Sequence, residues 1–486
     1  MMNGDSRENR RNTRPDSFSW TMSDIIQATD GEVLTENTGG TFHRVSIDSR
    51  SVSDNNLFVA IRGENHDGHR FVNDAIEKGA KCILISGEKV TGFPLEEWNF
   101  RNIACVAVRD TTRALGDLAA FNRKRSNISV IGITGSNGKT TTRKMTAAVM
   151  RRKYNILWSR GNYNNEIGLS LTLLNLKADH QWAVLEMGAN HPGEIGGLAQ
   201  ISRPNIGVIT NIGPAHLEGF GSLEGVASAK GELLEYMSAE STAVLNADDL
   251  RVISLKENAP GKVMLYGASE KAEIRATLVE EKRLSTRFRL SLPLEEIYIT
   301  LKVPGSFMVA NALAAASVGY IAGLSAKDIQ SALEDDFQPA PGRMNIFETV
   351  NKIHVIDDTY NANPDSMAAA LITLKNLKRK QRAVFVAGDM FELGRFSESM
   401  HKNIGELAAE AGLDRLYATG AFASQIAEGA GEKGMASRNI FVGSKAEILE
   451  DLAGWLSPGD WVLVKGSRSM GMEEIVEGLK RGTGEL

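Results

Sequence analysis

Cysteine is nearly absent from this chain: 486 residues carry only Cys82 and Cys105. A disulfide framework is thereby excluded, and a reducing cytoplasm is the expected setting. Both thiols sit in or beside apolar runs, which suits core residues better than nucleophiles. No apolar run approaches the roughly 18 residues that a membrane-spanning helix needs. The N-terminal stretch MMNGDSRENRRNTRPDS lacks the apolar centre of a signal peptide, so no stable membrane anchor is expected. Neither sign of charge is in excess, since 55 Lys and Arg against 60 Asp and Glu leave a net charge of −5. Nucleic acid and acidic membrane surfaces are therefore poor candidates for the main partner. No long heptad or exposed apolar stripe asks for a second copy, and a monomer is expected.

Glycine is what the chain has in surplus: 47 residues against 12 prolines, more than the ~7% of an average protein. With 42% hydrophobic and 24% charged residues, the composition is that of an ordinary globular protein, and collagen-like, fibrous and wholly disordered classes drop out. At ~150 residues per domain the length asks for about three domains.

Residues 1–18 are polar and charged without a hydrophobic period, and a mobile tail is expected there. Residues 19–107 hold short apolar strands and one helix-like stretch ending at Gly79, a small N-terminal α/β domain that cannot contain a whole nucleotide-binding sheet. In 108–337 the runs ISVIGIT, WAVLEMG (182–188), IGVITNI (206–212), TAVLN (242–246) and VMLYG (263–267) alternate with helical stretches. Short, continuously apolar strands of this kind belong to a parallel sheet buried on both faces. Segment 273–303 alternates with period two instead, like an antiparallel meander, and helices are expected at 308–322 and 326–335. The stretch QPAPGR at 338–343 marks a boundary. Beyond it, 338–486 repeats the strand–helix alternation, with strands expected at 352–357, 383–388, 415–420, 439–443 and 460–466. The fold class is α/β in three domains: a small N-terminal one, a central P-loop parallel sheet and a C-terminal Rossmann-like sheet.

The segment Gly132-Ile-Thr-Gly135-Ser-Asn-Gly138-Lys139-Thr140-Thr141 lies where a strand gives way to a helix. Glycines let backbone N–H groups converge on phosphate oxygens, and a helix N-terminus adds partial positive charge. Lys139 would reach the terminal phosphates and the Thr140 hydroxyl a magnesium ion. The strict phosphate-loop pattern places glycine at position 133, where this chain has Ile133; the pattern here is the variant G-x-x-G-x-x-G-K-T. Gly135, Ser136, Asn137, Gly138, Lys139, Thr140 and Thr141 are the expected ATP contacts. The loop does not name the reaction, and a P-loop kinase or a nucleotide-gated binding protein would carry it too.

Three further positions stand beyond strand ends or nearby, where open α/β sheets bind ligands. Glu186 ends WAVLE and offers hard oxygen to a divalent cation, although a strand-end acid also pairs with a neighbouring base. His216 follows IGVITNI, which is expected to end at Asn211; it reads either as a hydrogen-bonded loop histidine or as a metal ligand. Lys230 falls in a helical stretch, where a lysine is ordinarily on a solvated face.

Taken together, GITGSNGKTTT, EMGA, TNIGPAHL and SAKGE resemble the Mur ligase family of ATP-dependent amide-forming enzymes. GNYNNEIGLSLTLL (161–174), DDTYNANPDSM (357–367), GDMFELG (388–394) and VKGSRSMGME (464–473) resemble the members that join D-alanyl-D-alanine to a UDP-N-acetylmuramoyl-tripeptide. The opening SIDSR…LFVAIRGENHDGH is shared with the sibling that adds the third amino acid. That sibling's D-N-P-R motif for a diamino acid is missing here. Another ligase of the family, third-residue-adding or folate polyglutamate, is the alternative, and should lack NYNNEIG and GDMFELG as a pair.

The resemblance implies a cytoplasmic bacterial enzyme whose small-molecule partners are those two substrates and ATP. It implies catalytic roles for Lys139, His216 and Lys230, with two Mg²⁺ ions held through Thr140, Glu186, His216 and a carbamylated Lys230. Divalent cations nearby would depress the lysine pKa and supply the neutral amine that carbamylation needs. Asn311 matches an adenine-side asparagine, and Arg343 and Asp358 match residues that close on ATP from the C-terminal domain. Ser49 and Arg50 fall in the uridine-nucleotide segment, and Asn164, Asn165 and Glu166 in the loop that meets the muramoyl-peptide. One departure is visible: the family's G-x-H-N-x-x-N is replaced by Gly305-Ser-Phe307-Met308-Val-Ala-Asn311.

Overall fold

A computed structural model of the chain describes residues 18–37, 39–63 and 66–481. The expected tail, Phe18 apart, lies outside the described residues. By internal contacts the chain divides into two compact units. One runs through Ser129 and takes in 155–183 and 200–202; the other holds 130–154, 184–199 and 203–486.

In the first unit a five-stranded sheet runs in the order Glu32–Val33, Ala104–Val108, Ala80–Ser86, Asn56–Val59 and Val45–Ser46. Its pairs are parallel except the first, which is antiparallel. Ala104–Val108 is buried at every residue, which explains its unbroken apolar run. Cys82 and Cys105 are free and buried, and desolvation pushes both thiols well above their ordinary range. They are core residues, as their setting in the sequence suggested. Asp110 caps the helix Thr111–Ser126 by accepting from Thr112 N and Arg113 N. The Asn122 amide of that helix donates to Leu173 O at 2.9 Å, joining it to the helix Glu166–Leu174.

The second unit carries two sheets. In the first, Ser129–Thr134, Ile206–Ile209, Thr242–Asn246 and Lys262–Gly267 pair in parallel, with Trp182–Glu186 beyond Ser129–Thr134. The meander follows as Ile274–Lys282, Ser285–Ser291 and Glu296–Leu301, antiparallel throughout. A parallel contact of Tyr266 with Ile274 makes it a continuation of the same sheet. The helix Phe307–Ile321 is apolar nearly all round and buried along its length, as expected of a helix covered on all sides. Some boundaries differ from expectation: the helix expected at 326–335 is α-helical over Ala326–Ser331 and continues as a π-helical turn, Ala332–Asp336, and the strand of IGVITNI stops at Ile209. Thr210 N still reaches Thr134 O at 3.0 Å, but the next carbonyl, Asn211 O, accepts from Ser136 N at 2.9 Å. The backbone leaves the ladder because it is recruited to the phosphate loop.

The C-terminal sheet has the order Asn345–Glu348, His354–Asp357, Trp461–Lys465, Ala383–Ala387, Arg415–Ala418 and Ile440–Val442. All pairs are parallel except the first. That antiparallel edge strand has no counterpart in the sequence reading. Its NIFE is partly exposed at every position, so it lacks the apolar run that betrays the buried strands. Trp461–Lys465, flanked on both sides, is wholly buried. Behind the sheet, His401 is fully buried: its Nε2 accepts from Met390 N at 2.8 Å, its Nδ1 meets Ser397 O at 2.6 Å, and it stacks on Phe422.

Two outcomes follow for stability. Leu463→Ala, at a fully buried site in the central strand, should cost about 2–5 kcal/mol, read from the urea midpoint of tryptophan fluorescence; a loss under ~1 kcal/mol would contradict tight packing there. Desolvation lowers the His401 pKa, against smaller opposing effects of Ser397 and Asp389. The stability due to the neutral ring is therefore present above the unfolded value of about 6.5 and lost as pH falls through the lower folded value. Acidification from neutrality should lower the melting temperature more in the parent than in His401→Gln; equal slopes would remove His401 from the account.

Candidate active site

The phosphate loop is built by its neighbours. Asn137 N donates to Asn211 Oδ1 at 2.8 Å, and Asn137 O accepts from Thr210 Oγ1 at 2.6 Å and Asn211 Nδ2 at 3.1 Å. Ser136 Oγ exchanges hydrogen bonds with the backbone of Gly213. Two glycines are obligatory. Gly135 and Gly138 have φ of 144° and 80°, and a Cβ on either would overlap Thr210 Oγ1 or the Asn311 amide. Gly138 caps the helix Lys139–Arg151, whose N-terminus therefore opens at the loop. Lys139 Nζ lies on Gly135 O at 2.7 Å and Ser136 O at 3.1 Å. Burial lowers its pKa to about 8, partly opposed by Glu186 and helped by Arg343.

Thr140 and Arg143 stand three residues apart on one face of that helix, and both reach Glu186. Thr140 Oγ1 donates to Glu186 Oε1 at 3.0 Å, and Arg143 Nε lies 3.2 Å from Glu186 Oε2. The strand-end acid thus does pair with a base. Arg143 was not anticipated, although its spacing from Thr140 was there to be read.

Lys230 is the clearest departure from its local pattern. Instead of a solvated face it is 1% exposed, with its ammonium 5.1 Å from the centre of the Phe220 ring. Burial, reinforced by Lys139, lowers its pKa to about 7 against the pull of Glu194 and Glu232. The His216 ring stands nearly perpendicular to the same ring, with centroids 6.4 Å apart, so the two residues share one aromatic neighbour. The His216 Nδ1 is engaged by Glu392 Oε2, and this contact lowers the Glu392 pKa. Both residues hold left-handed backbones, at roughly 1–2 kcal/mol each.

From the C-terminal sheet come Asp358, directly after the strand His354–Asp357, and Lys465, the last residue of Trp461–Lys465, both buried and paired at 2.6 Å. Lys465 Nζ also donates to Asn361 O at 2.8 Å, and Asp358 Oδ1 accepts from Met344 N at 3.0 Å. The Arg343 guanidinium lies 4.1 Å from the Tyr360 ring centre. Asn363 Nδ2 donates to Asn137 Oδ1 at 2.8 Å, tying this segment to the phosphate loop.

A cavity of about 470 Å³ gathers most of these groups. Ser136, Asn137, Gly138, Lys139, Thr140, Thr141, His216, Asn311, Arg343 and Asp358 line it; Gly135, Glu186 and Lys230 do not. Phe307 and Met308 are on its wall, so apolar surface stands where the family pattern has His and Asn. Asn311 accepts from Thr142 Oγ1 at 3.2 Å. Lys465 and Glu392 also line it; both lie in motifs singled out in the sequence, but no role pointed to either.

The other expected residues belong to the first unit. Ser49 is buried, and Arg50 is turned onto Asp48, Nη2 to Oδ2 at 2.9 Å, which holds Asp48 down at about 2. Asn165 caps the helix Glu166–Leu174 by accepting from Gly168 N at 2.9 Å, directly after Asn164. Desolvation, with Asp110 and Asp117 nearby, raises the Glu166 pKa. Among the described residues no cluster of three or more His, Cys, Asp or Glu forms a ready metal cage.

Comparison with known proteins extends along the chain. Residues 41–123 match the profile described as "Mur ligase family, catalytic domain", 133–319 the "Mur ligase middle domain", and 342–468 "Mur ligase, glutamate ligase domain". A UDP-N-acetylmuramoyl-tripeptide–D-alanyl-D-alanine ligase of Escherichia coli is 35% identical over 468 residues, 95% of this chain and 99% of that one. The ligase of the same name from Bacillus subtilis is 34% identical, over 90% and 93% of the two chains. Among solved structures, MurF from Acinetobacter baumannii superposes with a TM-score of 0.86 at 33% identity, covering 96% of this chain and all of the other. The MurF ligase of Thermotoga maritima in complex with ADP gives 0.78 at 28% identity, over 90% and 97%. With likeness running from the first sheet to the last, and the phosphate loop seated as described, this chain belongs to the Mur ligase family.

Proposed function

We propose that this chain is an ATP-dependent amide ligase that joins D-alanyl-D-alanine to the terminal carboxylate of UDP-N-acetylmuramoyl-tripeptide, forming the pentapeptide precursor of peptidoglycan in the bacterial cytoplasm. The observation that carries the reading is a single cavity lined by the phosphate loop on one side and by Arg343, Asp358 and Lys465 on the other. Residues 19–107 would receive the UDP-sugar through Ser49 and Arg50, 108–337 would hold ATP, and 338–486 would complete the site. Asn164, Asn165 and Glu166 would meet the peptide arm. The enzyme would act as a monomer.

A carboxylate does not acylate an amine at neutral pH, so it must first be activated. Its oxygen would attack the γ-phosphorus of ATP, expelling ADP and leaving an acyl phosphate. The dipeptide amine would then attack the acyl carbon; phosphate leaves and the ammonium gives up a proton. Lys139 and the loop amides would hold the β- and γ-phosphates, with Asn311 on the adenine side. The donor set suits magnesium: Thr140 and Glu186 offer hard oxygens side by side, and few protein ligands are needed where phosphates supply the rest. Two bound ions would offset the charge that gathers when an anion attacks a triphosphate, one through Thr140 and Glu186, the other through His216 and Lys230. The buried Lys230 amine, lowered to about 7, has the neutral fraction that addition to CO₂ requires; the ammonium first gives up one proton, the neutral amine then forms the N–C bond to CO₂ and loses a second, and the product is a carbamate anion.

Phosphate release should require the muramoyl-tripeptide and D-alanyl-D-alanine together; transfer of phosphate to one substrate alone, as by a kinase, would overturn the reading. Lys230→Ala should lower kcat by more than about 100-fold, with partial recovery on adding a short carboxylic acid. Parental turnover in that variant would remove the carbamate.

A further inference from the structure

His216 and Glu392 are far apart in sequence, and each adopts a left-handed backbone, with φ of 55° and 62°. Side-chain-bearing residues hold this conformation where the surroundings over-determine it, commonly at functional sites. Here they do. Glu392 O accepts from Glu218 N at 3.0 Å, so the glutamate backbone grips the short helix Leu217–Phe220 that begins directly after His216. Gly394 rests against the same helix: a Cβ there would lie 3.6 Å from Glu218 Cα. The loop bearing Glu392 is in turn mounted on the C-terminal sheet. Met390 N donates to His401 Nε2 at 2.8 Å, Phe391 N to Ser467 Oγ at 2.8 Å, and Ser467 N to Asp389 O at 2.8 Å. The carboxylate occupies Nδ1 of His216, so the proton stays on that nitrogen and Nε2 presents its lone pair. Both side chains line the cavity.

We propose that Glu392 is a positioning residue for His216. It holds the imidazole in the orientation and tautomer that a metal–nucleotide complex needs, and does so only while the loop 388–396 is seated on Leu217–Phe220. The metal side of the site is then completed by the C-terminal sheet rather than by the phosphate-loop sheet alone. The proposal rests on the ligase reading of this cavity, but its test does not depend on the acceptor substrates.

The full chain and the variants Glu392→Ala, Glu392→Gln, His216→Ala and the double alanine variant are titrated with Mn²⁺ in the presence of ADP, with free Mn²⁺ followed by electron paramagnetic resonance. Glu392→Ala should weaken ADP-dependent Mn²⁺ binding about tenfold. The double variant should bind no more weakly than His216→Ala, because Glu392 acts through the histidine. Glu392→Gln, whose amide oxygen still accepts, should retain most of the affinity, which a merely structural role for the negative charge would not preserve. Melting curves of all variants identify any that fail to fold, and the glutamine variant then decides by falling between the parent and His216→Ala. Parental Mn²⁺ affinity in Glu392→Ala, or losses that multiply in the double variant, would overturn the proposal while leaving the ligase reading intact. Absence of ADP-dependent Mn²⁺ binding in the parent would overturn both.

Discussion

Asn137 is held from two directions, and the candidate active site depends on that. Its backbone N–H and C=O are bonded by Asn211 and Thr210, which leave the neighbouring strand early to reach it. Its side chain is bonded by Asn363, at the start of the helix Pro364–Lys378 in the C-terminal sheet's portion of the chain. One residue thus fixes the shape of the phosphate loop and registers the C-terminal segment against it. The small residues follow from this geometry. Gly135 must let Thr210 approach and Gly138 must clear Asn311, so the loop glycines are set by neighbours as much as by the phosphates they would receive.

The electrostatics are those of a site prepared for anions. Cations cluster there in buried or half-buried positions, among them Lys139, Arg143, Lys230, Arg343 and Lys465. Two have carboxylate partners, Glu186 for Arg143 and Asp358 for Lys465. Lys139 leans on loop carbonyls and disfavours the charge on Lys230. Unpaired buried charge is costly, and a polyanionic nucleotide would relieve it. The near-neutral net charge of the chain conceals this arrangement, because composition averages over distance.

The parallel strands were legible because burial on both faces leaves no polar positions to interrupt the apolar run; ISVIGIT and DWVLVKG announce themselves. The edge strand Asn345–Glu348 was not, because its exposed positions carry no constraint that a pattern could show. The phosphate loop was legible through its spacing and the strand before it. Arg143 was hidden in an ordinary helical stretch, and only the arrival of Glu186 from another strand reveals which face it serves. Lys230 looked like any helical lysine until Phe220 covered it.

Sequence by itself determined the buried parallel strands, the loop that turns amides toward a phosphate, and membership of a family, since local periodicity and motif spacing are properties of neighbouring residues. Tertiary structure alone decided the pairings: Thr140 and Arg143 with Glu186, Lys465 with Asp358, His216 with Glu392. Such contacts join residues tens to hundreds of positions apart, and their strength depends on burial and ångström-scale distance, neither of which is encoded at any single position.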